Sequence, residues 1–140
     1  MKATLSLLTL AMLVFVAGAA GKDFRPGDLR VCNAARCIPI RDAAALRAVG
    51  SFYYGTTELR RTPRPAIGAR TYQLRFRNGY VTGIVAGVRL DRFLSYGVNL
   101  DRFATDRWYA VPARLAQELR RLTSRLAPLR LSAAMLAESH

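Results

Sequence analysis

The stretch RTYQLRFRNGYVTGIVAGV, residues 70–88, decides the fold of this chain. It contains Asn78-Gly79, a dipeptide typical of a type I′ hairpin turn, in which both central residues have positive φ. A turn at this dipeptide fixes the cross-strand pairs and separates an apolar face from a largely polar one, which predicts a half-buried antiparallel hairpin. The apolar pairs are Phe76–Val81, Leu74–Gly83 and Tyr72–Val85, and the polar-face pairs are Arg77–Tyr80, Arg75–Thr82, Gln73–Ile84 and Thr71–Ala86.

The polar face of this hairpin supplies the first candidate binding site. Arg75, Arg77 and Tyr80 fall together near the predicted tip. A guanidinium group beside an aromatic ring can bind phosphate, carboxylate or a sugar-phosphate polymer. The alternative interpretation is a solvated sheet face, on which arginine side chains discourage aggregation.

The balance of charges favours anionic partners. The chain has 22 Lys and Arg residues against 9 Asp and Glu residues, a formal net charge of +13. Such a charge attracts an anionic envelope polymer, a lipid headgroup or an acidic protein, although the same charge can serve only to keep a protein soluble. No known nucleic-acid-binding motif is present, so nucleic acid is not an expected partner.

A second group of candidate anion contacts lies in the connection RRTPRP, residues 60–65. Its basic residues are Arg60, Arg61 and Arg64, and its prolines exclude a helix inside the segment. The composition predicts a flexible basic loop.

The N-terminal segment has the outline of a secretory signal peptide. Lys2 supplies a short positive region, residues 5–16 are almost entirely apolar, and residues 17–20 are small. The apolar run is shorter than the ~20 residues that span a membrane, which favours cleavage after Ala19 or Ala20 over a retained anchor. We therefore expect a secreted or envelope-associated protein without a transmembrane span, in which 21 basic and 9 acidic residues leave a charge of +12.

A second hairpin is predicted in LRVCNAARCIPI, residues 29–40, around the four-residue turn NAAR. Pairing Cys32 with Cys37 puts both cysteines, Arg30 and Pro39 on the face away from the core. Outside the cytoplasm the two cysteines are expected to form a structural disulfide, and no metal site is expected because no histidine is near. Proline cannot donate to a neighbouring strand, which places the second strand at the sheet edge. The pairs on the core face are Val31–Ile38 and Leu29–Ile40.

Two helices are predicted from capping residues and apolar spacing. Asp42 can cap a helix over residues 43–49, with Gly50 as its stop. After a last strand at 107–111, Pro112 suits the first turn of a helix over 113–126. The apolar stripe of that helix comprises Leu115, Leu119, Leu122 and Leu126. Its outer face is expected to carry an exposed pair, Arg114–Glu118, and Pro128 ends it.

Two short motifs have open interpretations. The aromatic residues of SFYYG, residues 51–55, complete the core or, alternatively, stack on a ligand. The sequence LDRF occurs at 90–93 and again at 100–103. The two copies are interpreted as similar strand-end segments that bury Leu and Phe, with coincidence as the alternative.

The order of these elements predicts an α+β fold. We expect a small antiparallel sheet built from two hairpins plus a further strand, with two helices packed on one face. The predicted segments are a signal peptide at 1–20, a lead-in at 21–28, a single domain at 29–128 and a C-terminal tail at 129–140.

The motifs RVCNAARCIPI, GSFYYG, FRNGYVTGIVAGVRLDRFLSYGVN and WYAVP occur in this order. The arrangement resembles uncharacterised small exported proteins of high-GC Gram-positive bacteria, over most of the mature chain. The resemblance implies an exported location and a fold plan. It implies no named activity and no site residues.

Catalytic motifs are scarce in this sequence. The only histidine is the last residue, His140, so a histidine-dependent triad or metal site has no base or ligand inside the domain. No glycine-rich phosphate loop is present, and no cofactor is expected. The carboxylates that a glycosidase pair would need are Glu58, Asp91, Asp101, Asp106 and Glu118. Their spacing singles out no pair, so a non-catalytic binding module is preferred, and a secreted carboxylate-dependent hydrolase is the alternative.

Overall fold

The computed structural model describes residues 24–53, 60–95 and 107–138, except the side chains of residues 51–53. The predicted signal peptide, the aromatic side chains of SFYYG, the second LDRF copy and the carboxylates Glu58, Asp101 and Asp106 lie outside this description. Within it, the elements are β1 (Leu29–Cys32), β2 (Cys37–Pro39), α1 (Ala43–Tyr53), β3 (Arg70–Phe76), β4 (Val81–Ala86), β5 (Arg92–Ser95), β6 (Tyr109–Ala110), α2 (Ala113–Thr123), β7 (Leu129–Arg130) and α3 (Ala133–Ala137).

The strands form one antiparallel sheet in the order β2-β1-β3-β4-β5-β6, and β7 pairs with β3 beside the end of β1. The α+β prediction is confirmed. The edge position of β2, predicted from Pro39, is confirmed as well. Among the described residues, none of the helices has the length and apolar character needed to cross a membrane.

The central hairpin has the predicted register over four pairs and then departs from it. Thr71 to Leu74 pair as expected, but Arg75 pairs with Val81 rather than Thr82, because a bulge lies between the two sets of pairs. Thr82 is consequently buried, with only 1% of its surface exposed. The predicted pair Arg75–Thr82 is therefore wrong.

The turn of this hairpin also differs from the type I′ prediction. Gly79 has a φ of +87°, whereas Asn78 does not have a positive φ. The Gly79 amide donates to Phe76 O, and the Phe76 amide donates to Tyr80 O. These bonds are those of a three-residue loop with glycine in the left-handed region, and this loop pairs Tyr80 with Phe76 instead of Arg77.

The first hairpin is as predicted. Cys32 pairs with Cys37 and forms a disulfide with it, and Val31 pairs with Ile38. In the turn, Asn33 Oδ1 accepts hydrogen bonds from two backbone amides, and Asn33 Nδ2 donates to Ala127 O at 2.9 Å. The turn is therefore tied to the segment that follows α2.

The main core lies between one face of the sheet and the helices α1 and α2. The leucine stripe of α2 is confirmed: Leu115, Leu119 and Leu126 are buried and Leu122 is partly buried. Asp42 caps α1 by accepting from the Ala45 amide at 2.8 Å. The helix is longer than predicted, because it continues through Gly50 to residue 53.

The opposite face of the sheet, which we call the second face, is not largely polar as predicted. It carries a smaller hydrophobic cluster that comprises Ile84, Ala86, Leu94, Trp108 and Leu131. Residues after Pro128 help to cover this cluster, since β7 joins the sheet, Leu131 is buried, and Met135 and Leu136 pack against it. The C-terminal segment is thus part of the packed structure.

The first LDRF copy behaves as a strand end. Leu90 and Phe93 are buried, Asp91 is exposed and Arg92 is half-buried. Leu90 has a φ of +52°, in a turn closed by a hydrogen bond from its amide to Gly87 O.

Candidate functional site

Arg75 lies on the second face of the sheet, in the part that the hydrophobic cluster does not cover. It is half-buried, and its Nε donates to Gln73 Oε1 at 3.1 Å. Directly opposite it in β1 is Arg30, whose other neighbour across the strands is Pro39. The Nε atom of Arg30 is buried, and no acceptor for it exists among the described residues. We call Arg30 and Arg75 the arginine pair.

Arg77 and Tyr80 lie at the hairpin tip and do not form one cluster with Arg75. Arg77 is exposed, and its backbone amide donates to Asp28 O at 2.8 Å. Tyr80 is 54% exposed, and its ring stacks on Phe76 with centroids 6.5 Å apart. Phe76 belongs to the main-core side of the sheet. The bulge thus moves Tyr80 away from the face on which it was predicted.

The RRTPRP segment begins as an ordered edge of the sheet rather than as a free loop. The Thr62 amide donates to Trp108 O, and the Ala110 amide donates to Arg60 O. The side chains of Arg60, Arg61 and Arg64 are exposed. Four strand spacings separate this segment from β3, on the order of 20 Å, so the structure does not bring it together with the arginine pair.

Two ion pairs link described residues, and both involve α2. Arg114 forms a bidentate pair with Asp42, with Nη2 and Oδ2 2.7 Å apart, instead of the predicted pair with Glu118. Glu118 accepts two hydrogen bonds from Arg121, and its side chain is only 8% exposed. The Arg114 hydrogen bond, helped by the Ala45 amide, lowers the pKa of Asp42 below its ordinary value.

These ion pairs bear on the hydrolase alternative. A general acid needs a carboxyl whose pKa is raised, whereas Asp42 is held as a carboxylate and Glu118 is bound at both oxygens by a guanidinium group. Asp91 is exposed. Asp42 and Glu118 are therefore arginine partners, and Asp91 is a surface group.

The cavities do not offer an enclosed ligand site in the described part of the chain. The apolar cavity in the main core, lined by Leu29, Val49, Leu74 and Phe93 among others, has a volume of about 10 Å³. That is about the space of one water molecule. A larger open groove of about 450 Å³ lies along the two α2 ion pairs, which engage four of its five charged residues; Arg41 is the fifth. No cluster of metal-ligating side chains occurs among the described residues.

Arg30 was not among the residues that the sequence singled out. Its position on the face away from the core followed from the Cys32–Cys37 pairing, but which strand lies beside β1 did not. Only the pairing of β1 with β3 sets Arg30 opposite Arg75. The signal that could have found it is the arginine at matching positions on the outer faces of both hairpins.

The chain matches no protein-family model, no curated protein and no solved structure. Its function must therefore be inferred from its own residues.

Proposed function

We propose that this chain is an exported, non-catalytic binding module that holds an anionic partner on a basic surface. The supporting observation is how few arginines have a carboxylate partner. Among the described residues only Arg114 and Arg121 form ion pairs, although the sequence has a net charge of +13. Unpaired positive charge attracts and holds anions.

An anionic polymer of the cell envelope fits this surface better than a compact ligand does. The exposed arginines lie in separate places, with the hairpin tip and the RRTPRP segment on the order of 20 Å apart along the sheet. One extended polyanion can contact both places, whereas a small anion can contact only one. Several weak contacts then add up through their high effective concentration.

Retention of the mature protein on immobilised polyphosphate, with neutral dextran as the reference matrix, tests this proposal. We expect retention on polyphosphate at low salt and elution as NaCl screens the contacts. Wild-type protein that passes through both matrices would refute anion binding. A steep log–log salt dependence with an oligonucleotide would instead identify a nucleic-acid-binding protein.

Two charge-matched variants locate the contacts. We expect Arg75→Ala with Arg77→Ala to elute at lower salt than the wild type, with a nearly unchanged melting temperature, because such charges contribute little to stability. Arg47→Ala with Arg107→Ala, which removes two other exposed charges, should elute close to the wild type. Equal shifts in both variants would show that net charge alone determines binding.

The exported location is tested separately. We expect the protein recovered from the medium or the envelope to begin at Ala20 or Gly21, since residues 17–20 are small and follow an apolar run. N-terminal sequencing provides the measurement. An intact Met1 in the exported fraction would contradict cleavage.

A further inference from the structure

We propose that the arginine pair, Arg30 and Arg75, forms a specific site for a phosphate group on the second face of the sheet. This inference rests on the proposed anion-binding function, and it names the residues and the ligand chemistry. It differs from general charge attraction because it assigns one place and one geometry.

The positions of the two arginines are fixed by strand pairing. Arg30 in β1 is the direct antiparallel partner of Arg75 in β3, so both side chains project from the same face. The Cβ atoms of directly opposed residues are about 4.5–5.5 Å apart, and like charges at that distance destabilise a sheet. Neither arginine is in an ion pair with a described carboxylate. An anion between the two groups would remove this repulsion.

The hydrogen-bonding groups are complementary to such an anion. Gln73 Oε1 accepts from Arg75 Nε at 3.1 Å, which holds that guanidinium group in one orientation. Arg30 Nε is buried without an acceptor in the described part of the chain. A buried cationic group without an acceptor costs free energy. Because the Nε atom itself is enclosed, a bound oxyanion accepts from the outer nitrogens of the two guanidinium groups and compensates their charge.

The residues beside the arginine pair restrict which ligand can bind there. Pro39 and Val81 flank the arginine pair in the same row across the sheet, and the next row contains the Cys32–Cys37 disulfide and Gln73. These neighbours make a shallow site with uncharged sides, and the disulfide ties β1 to the edge strand. Residues 77–80 at the hairpin tip are exposed, so the site is open on the side of Arg77.

A phosphate group matches two opposed guanidinium groups better than a carboxylate does. A carboxylate has two oxygens and is fully engaged by a single guanidinium fork. A phosphate group has up to three terminal oxygens and as many as two negative charges, so it can accept from both arginines at once. Arginine suits this role because its donors are planar and fixed in direction.

Isothermal titration of the mature protein with inorganic phosphate, in NaCl at constant ionic strength, tests the site. We expect one saturable site in the wild type and at least tenfold weaker binding in Arg30→Gln with Arg75→Gln. Arg47→Gln with Arg107→Gln removes the same charge elsewhere and should bind as the wild type does. Acetate should bind at least tenfold more weakly than phosphate; equal affinity for the two anions would overturn the assignment.

We expect Arg30→Gln with Arg75→Gln to fold, so that a loss of phosphate binding can be attributed to the site. In chloride the variant should melt at or above the wild-type temperature, because the repulsion and the buried unpaired donor are both removed. Arg30→Lys with Arg75→Lys provides a second test, since it keeps both charges and loses the planar forks. We expect this variant to bind phosphate several-fold more weakly while it is still retained on polyphosphate.

The outcomes separate this inference from the proposed function. If the wild type is retained on polyphosphate and the glutamine variant binds phosphate equally well, the site is refuted and general anion binding stands. If the wild type binds neither polyphosphate nor phosphate, both are refuted. Vesicles that contain phosphatidic acid distinguish the source: binding to them assigns a lipid headgroup, and binding to inorganic phosphate alone assigns a soluble ligand.

Discussion

The two faces of the sheet are used differently. On the main-core face, two eleven-residue helices cover Tyr72 and Leu74, which are 0% and 2% exposed. On the second face, the cover is the segment after Pro128, whose helix α3 has no buried residue. That segment covers the cluster around Ile84 and leaves the arginine pair uncovered. One face is covered over most of its area by helices, and the other keeps part of its area uncovered.

Buried polar atoms without a partner occur on both faces. On the main-core face, Arg70 Nε and Ser95 Oγ are buried without a hydrogen-bond partner among the described residues. On the second face, the same holds for Trp108 Nε1 and Arg30 Nε. Such groups cost stability wherever they lie, so their presence does not distinguish the two faces.

The largest expected effect lies on the main-core face. Leu74→Ala should lower the free energy of unfolding by about 2–5 kcal/mol, because the side chain is fully buried beneath both helices. Phe76→Ala should cost less, about 1–3 kcal/mol, since Phe76 is only half-buried between Phe24 and Tyr80. Chemical denaturation measures both. Val88→Ala, at a residue 85% exposed, is the control and should change almost nothing.

Leu74 and Phe76 were predicted together as core residues from the same alternation. The reverse order of their effects, with Phe76→Ala the more costly, would show that the hairpin tip is packed more tightly than its exposure indicates. It would also make the main core extend to the end of the sheet.

The second cluster should contribute less than the main core. Leu131→Ala is expected to lower the free energy of unfolding by about 2–3 kcal/mol. This is the lower part of the usual range, because the short segment around Leu131 can move into the cavity that the substitution leaves. Ala134→Ser, at an exposed position of α3, is the matched control. Denaturation of both variants tests the comparison. A negligible effect of Leu131→Ala would mean that residues after Pro128 add little to the fold.

The sequence predicts most of the main-core face and little of the second one. The pairs from Thr71 to Leu74 were predicted from a two-residue turn and remain correct because the bulge in β4 offsets the longer loop. The register beyond Leu74 was not predicted, because Asn-Gly suits both a two-residue turn and a three-residue loop with glycine in the left-handed region. The nearly continuous apolar run VTGIVA in β4 is typical of a strand buried on both faces. Interpreting it as half-buried hid the second cluster.

The disulfide should have an effect of about 2 kcal/mol on the free energy of unfolding, because the loop that it closes is short. Cys32→Ala with Cys37→Ala should therefore remain folded, helped by the hydrogen bond from Asn33 to Ala127 O. Reduction of the wild type should reproduce the effect in a denaturation curve. Native protein that reacts with two equivalents of a thiol reagent would contradict the bond, and complete unfolding on reduction would contradict its modest contribution.

The sequence predicted that the candidate site is basic, but it did not predict which residues form it. Arg75 is on the predicted face, but Tyr80 is not, because one extra residue in β4 changes which side chains share a face. Arg30 was missed because its neighbour depends on the pairing of β1 with β3, a contact between residues far apart in sequence. Local patterns indicate which face of a strand a residue occupies. Only the strand order shows which residues of neighbouring strands lie side by side.

The smallest expected effect is that of the ion pair between Asp42 and Arg114, which ties α1 to α2. The pKa of Asp42 is below its ordinary value in the folded protein, chiefly because Arg114 donates to it. A carboxyl with a lowered pKa stabilises the fold above its unfolded pKa of about 3.9, and this contribution is lost as the pH falls through the folded pKa. The melting temperatures of wild type and Asp42→Asn should therefore differ slightly at pH 7, and the difference should shrink as the pH falls below about 3.9 and the carboxyl becomes protonated. Glu138→Gln, which removes an exposed carboxylate without an ion pair among the described residues, is the control. A difference between wild type and Asp42→Asn that stays constant from pH 7 into the acid range would show that the effect does not come from the charge of Asp42.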